Sequence, residues 1–140
     1  MKAEINWKKN VRFDANTQSG HEITMDGAAD HGGENAGARP MELLLVGMGG
    51  CTGFDVVGIL KKARADLVSL KIELEAERAD SVPAVFTSIH VHFILTGRAL
   101  KEKLVERAIE LSAEKYCSAS IMLGQTADIT HSFEIIEEPA

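Results

Sequence analysis

Between Leu43 and Leu60 the chain is almost wholly apolar residues and glycine, interrupted by Cys51, Thr52 and Asp55. This run dictates most of what the protein can become. Pro40 suits a first helical position, Glu42 falls in the first turn, and Lys61, Lys62 and Arg64 fall near the last, as the helix dipole favours. The spacing therefore predicts a helix from Pro40 to about Ala65. A stretch of about 18 apolar residues also satisfies the length of a membrane span. A mid-helix Asp55, five glycines (47, 49, 50, 53, 58) and amphipathic elements on both sides argue instead for a buried helix and no membrane. Such a helix is apolar all round and must be covered all round. One small sheet and one further helix do not suffice, so a second subunit is expected to complete the cover.

The remaining elements are amphipathic. Val68, Leu70, Ile72, Leu74 and Ala76 alternate with Ser69, Lys71, Glu73, Glu75 and Glu77, the pattern of a strand with one face in a core. Val85, Ile89, Val91, Phe93 and Leu95 alternate with Ser88, His90 and His92, and the two strands should pair antiparallel. Further extended pieces are expected around Ala3–Trp7, Val11–Ala15, Glu22–Met25 and Ile129–Ile135. Lys101 to Cys117 places Leu104, Val105, Ala108, Ile109, Ser112 and Tyr116 on one stripe and predicts a second helix. The Gly- and Ala-rich segment from Gly27 to Ala38 reads as a mobile loop. At 140 residues, without repeats or a long linker, residues 1–140 are expected to form a single domain.

Charge and cysteine count narrow the function. Fifteen Lys+Arg against 21 Asp+Glu give a net charge of −6, which lacks the footprint of a nucleic-acid binder. Two cysteines exclude a disulfide-dense scaffold and a four-cysteine zinc site. The opening residues become charged too early for a signal peptide, so a cytoplasmic address is expected. Cys51 and Cys117 are about 66 positions apart, which is no CxxC motif. Each falls on a predicted helix above a small residue, in the rows Leu43-Gly47-Cys51-Asp55 and Ile109-Ala113-Cys117. Gly47 removes a side chain where a small substrate would need access to the Cys51 thiol. Two readings stand: buried cysteines acting as small hydrophobes, or reactive thiols with an access path. His90 and His92 share a strand face and read as solvated. His131, between Ile129 and Phe133, reads as a hydrogen-bonded core histidine. No metal ligand set is expected.

The run Arg39-Pro40-Met41-Glu42-Leu43-Leu44-Leu45-Val46-Gly47-Met48-Gly49-Gly50-Cys51-Thr52 resembles the Pro-x-Glu-Leu helix start, leading to a cysteine, of the OsmC/Ohr family. Those are the osmotically inducible and organic hydroperoxide resistance proteins. Ala113-Glu114-Lys115-Tyr116-Cys117-Ser118 is similar to the family's second-cysteine segment, and Thr96-Gly97-Arg98 before a helix fits the same layout. The resemblance implies an α+β fold: an antiparallel sheet, a long buried central helix and a second helix, in an intertwined homodimer. It implies thiol-dependent reduction of organic hydroperoxides to alcohols, with no cofactor and an external dithiol as reductant. Cys51 would be the peroxidatic thiolate that becomes a sulfenic acid, and Cys117 would resolve it to a disulfide.

The resemblance also implies that Glu42 pairs with an arginine that orients the peroxide. No arginine matches the family pattern by spacing, and Arg12, Arg39 or neither fills the role. Locally, Glu42 reads equally well as a charge on the helix N-terminus, and Arg39 as a solvated loop residue. The peroxide pocket is expected to be apolar, drawn from Met48, Phe54 and the opposite subunit, and to favour bulky organic peroxides. Asp55 sits awkwardly one turn from Cys51, because a carboxylate disfavours a thiolate. It should point into water or toward a lysine, or else the site leans heavily on an arginine. The alternative is a non-catalytic binding or redox-sensing protein of the same fold.

Overall fold

The computed structural model describes residues 1–139. They fall into two compact units, Met1–Val46 and Gly47 onward, and the division lies within the long helix.

The first unit holds an antiparallel sheet of β1 (Ala3–Lys9), β2 (Arg12–Thr17) and β3 (Glu22–Met25), in that order. Its register sets Ile5 beside Ala15 and Ile23, and Trp7 beside Phe13 and Met25, so one face is apolar. On that face Ile5 is 54% exposed and Trp7 65%. The loop that follows is ordered around one carboxylate. Asp26, itself buried, accepts hydrogen bonds from the backbone N–H groups of Gly27, Glu34 and Ala36 at 2.8, 3.0 and 3.0 Å. These bonds, led by Ala36, hold its carboxyl below the usual carboxylate range. The segment expected to be mobile is thus tied at three points.

The helix α1 spans Pro40–Lys62. Within the second unit, its Met48, Thr52, Val56 and Leu60 are buried. Gly49 and Gly53 lie against Leu74 and Ile72; a Cβ there would stand 2.9 and 2.8 Å from their Cδ1 atoms. Glycine lets helix and sheet approach closely at these two positions. The opposite side is open, with Phe54 86% exposed. The expectation of a helix buried on every side therefore fails for one chain: α1 buries Met48, Gly49, Thr52, Gly53, Val56 and Leu60 and leaves its other side open.

The sheet of the second unit runs β4 (Asp66–Arg78), β5 (Phe86–Arg98), β6 (Asp128–Glu137). β4 and β5 pair antiparallel, as expected. β5 and β6 pair parallel, so this sheet is mixed and not purely antiparallel. A parallel neighbour requires a crossover, supplied here by the helical segment after β5. The α+β class holds. One sheet face buries Ile89, Val91, Phe93 and Leu95 completely, together with Val105 and Ala108 of α2 (Glu102–Leu111).

The crossover departs from expectation. The predicted helix to Cys117 ends as an α-helix at Leu111, and Ser112–Tyr116 form a π turn closed by Cys117 N–H on Ser112 C=O at 2.8 Å. Cys117 is extended (φ −77°, ψ 99°) and caps a further helix, α3 (Ser118–Leu123). The row Ile109-Ala113-Cys117 is broken because a π turn holds one residue more than an α turn. No Gly or Pro between Glu102 and Cys117 announces it.

Candidate functional site

Cys51, Asp55 and Cys117 converge in the second unit. One donor atom from each, the two sulfurs and a carboxylate oxygen, lie within 4.8 Å of one another. α1 carries Cys51 and Asp55 on successive turns of one face, and the crossover delivers Cys117 to them. Cys117 is fully buried and Cys51 partly accessible, and both are free thiols.

Two hydroxyls fix the carboxylate. Ser112, fully buried at the start of the π turn, donates to Asp55 Oδ2 at 2.9 Å. Ser112 Oγ lies 2.8 Å from Thr52 Oγ1. Since the only Ser112 hydroxyl proton is committed to Asp55, Thr52 is the donor in that bond. The chain Thr52–Ser112–Asp55 thus joins α1 to the crossover by directed hydrogen bonds. Asp55 points neither to water alone nor to a lysine. Among the described residues it forms no ion pair.

The Cys117 sulfur accepts from Ser120 N–H at 3.3 Å and Ser120 Oγ–H at 3.0 Å. Burial still pushes its thiol pKa up, against those two donors, and the neighbouring Cys51 thiol adds to the rise. Burial thus favours the protonated form of the Cys117 thiol.

The other expected site residues are placed differently. In the first unit, the Glu42 carboxylate accepts from the backbone N–H of Arg39 at 2.8 Å, the half of a capping box that a Glu at the third helical position supplies. The Arg39 guanidinium donates to Asn35 Oδ1 (2.7 Å) and Gly37 C=O (3.1 Å), not to Glu42. Arg12 Nε pairs with Asp14 Oδ1 at 3.3 Å. Glu42 thus serves the helix start and both arginines are engaged locally. In the second unit, a Cβ at Gly47 would meet nothing within 4 Å, so that side of α1 is open. Met48 is completely buried while Phe54 is 86% exposed, so the two do not line one surface of the chain. Met48 is a core residue because it falls on the sheet-facing side of α1.

The histidines also differ. His90 and His92 are not simply solvated: Thr130 Oγ1, His90, Ser132 Oγ, His92 and Glu134 follow one another at 2.7, 2.8, 2.6 and 3.6 Å across β5 and β6. His131 stacks on Phe93 with ring centroids 6.2 Å apart, and its Nε2 is buried without a partner, not hydrogen-bonded as expected. Burial first, and the nearby His90 second, hold its pKa below the ordinary histidine value. Ser112, Thr52 and Ser120 are not singled out by the sequence pattern. Ser112 and Thr52 lie at apolar positions of their helices, the one signal available.

Comparison with known proteins identifies the family. Residues 31–132 match the family described as OsmC-like protein. Protein YhfA of Escherichia coli strain K12 is 46% identical over 136 residues, 97% of this chain and 98% of YhfA. A hypothetical protein from Aquifex aeolicus VF5 superposes with a TM-score of 0.86 at 35% identity, over 99% of this chain and 97% of that one. An organic hydroperoxide resistance protein OsmC from Legionella pneumophila shares the fold, with a TM-score of 0.73 at 18% identity over 95% of each chain. From the family match and the extent of identity with YhfA, the chain belongs to the OsmC-like protein family.

Proposed function

We propose that this protein reduces organic hydroperoxides to alcohols through its two thiols, as a homodimer in the cytoplasm, drawing electrons from an external dithiol. The observation that carries the reading is the convergence of the Cys51 and Cys117 sulfurs, distant in sequence, with Cys51 accessible and Cys117 buried behind it. In the first step the Cys51 thiolate attacks the terminal peroxide oxygen and the O–O bond breaks. The alkoxide takes a proton and leaves as alcohol, and Cys51 becomes a sulfenic acid. Cys117 then attacks that sulfur, water departs, and a Cys51–Cys117 disulfide forms. A dithiol reduces it by exchange, itself becoming a disulfide. The uncovered apolar faces, Ile5 and Trp7 on the first sheet and Phe54 on α1, support a second copy as their cover. Organic hydroperoxide resistance proteins among the structural neighbours support the substrate class.

Consumption of cumene hydroperoxide with a dithiol tests the reading in wild type and Cys51→Ser. Turnover lost on substitution supports it, and no turnover in wild type refutes it. A second reading is favoured by Asp55, a carboxylate beside the sulfurs where no described arginine or lysine pairs with it. On it, the same fold senses oxidants without catalysis. One oxidation per chain with no further consumption would select it.

A further inference from the structure

We infer that reduced Cys51 and Cys117, with Asp55, form a binding site for a thiophilic divalent cation of the zinc type. Two sulfurs and a carboxylate oxygen within 4.8 Å of one another come close to the spacing such an ion imposes. Tetrahedral donors held at about 2.0–2.3 Å from one centre lie about 3.3–3.8 Å apart, so the three need draw together by only about 1 Å. Thiolate donors select zinc-like ions over magnesium or calcium. Three protein donors leave one coordination position open. Cys51 and Asp55, both partly exposed, give that position access to solvent.

Charge points the same way. The Asp55 carboxylate lies beside the two sulfurs, and among the described residues no lysine or arginine pairs with it. A bound dication would supply the positive partner that the carboxylate lacks. Asp55 is also held in place as ligands commonly are: Ser112 donates to one of its oxygens at 2.9 Å and leaves the other free. Binding releases the two thiol protons and changes no oxidation state. The site itself does not depend on peroxide chemistry. Its corollary does rest on the proposed function: ion and peroxide compete for the same sulfur lone pairs, so the ion inhibits turnover and a chelator restores it.

The test uses reduced, full-length protein. Equilibrium dialysis against zinc should give one ion per chain, with two protons released per ion in weakly buffered solution. Cadmium should produce sulfur-to-metal charge-transfer absorbance. Cys51→Ser should lower that absorbance by removing one of the two sulfur donors, and Asp55→Asn should weaken zinc affinity at least as much as loss of an outer-shell partner does, about 10–100-fold, with circular dichroism confirming that each variant is folded. Absence of stoichiometric zinc in wild type overturns the inference. So does binding that survives Cys51→Ser and disappears in a His90→Ala/His92→Ala variant, which would place the ion on the outer sheet face. Peroxide consumption is measured separately on metal-free protein; its absence counts against the peroxidase reading and does not alter what dialysis shows about the ion.

Discussion

Replacing Ser112 with alanine removes a single oxygen that serves two elements at once. Ser112 Oγ gives its proton to Asp55 and accepts the proton of Thr52. Asp55 is partly exposed, so water replaces much of the lost bond. Thr52 is only 1% exposed, and its hydroxyl is left without an acceptor. An orphaned buried donor costs about 1–3 kcal/mol, so Ser112→Ala should destabilise by about 2 kcal/mol. With a urea m-value of about 2 kcal/mol/M, that lowers the unfolding midpoint by about 1 M. Thr52→Val alone leaves Ser112 its bond to Asp55 and should cost about 1 kcal/mol. The double variant contains no orphan, so its cost should fall short of the sum of the singles by about 1 kcal/mol. Urea unfolding under reducing conditions, at one protein concentration because association shifts the midpoint, measures all four states. A Ser112→Ala cost under about 0.5 kcal/mol, or additivity within about 0.5 kcal/mol, refutes the directed chain.

Three further outcomes are expected. Asp26→Ala should raise amide hydrogen exchange at Glu34 and Ala36 selectively; in wild type, acid should do the same as pH falls through the lowered Asp26 pKa, because its contribution is present above the ordinary carboxylate value and lost below the folded one. His131 binds a proton less readily folded than unfolded, so stability should decline as pH drops below about 6.5; in denaturant titrations across that range, His131→Leu should flatten the decline. Cys117→Ser should keep the α3 cap, while Cys117→Ala leaves Ser120 N–H without an acceptor and should cost about 0.5–2 kcal/mol more by thermal unfolding.

Alternation placed β4 and β5 correctly because each has one face in a core, and the helix-start chemistry placed α1. Local patterns could not disclose the parallel pairing of β6, since a strand's alternation is the same beside either kind of neighbour. The π turn escaped for a related reason: it is held by tertiary partners, with Ser112 bonded to Asp55 and Thr52, and not by a breaker residue. That turn is what brings Cys117 to Cys51, so the pairing of the thiols came from family resemblance and not from spacing. Met48 shows the opposite error. A methionine three residues before the cysteine expected to react suggests a pocket, but its angular position on α1 sends it into the core.

The antiparallel pair β4–β5 lies wholly between the two cysteines in sequence. A bond between the sulfurs would close it inside a covalent ring of about 66 residues, and restricting the denatured chain that much is worth about 4 kcal/mol in the entropic account. Redox state would then be legible as heat resistance: a peroxide-treated sample should melt above its reduced counterpart, with no ligand added and no change of fold.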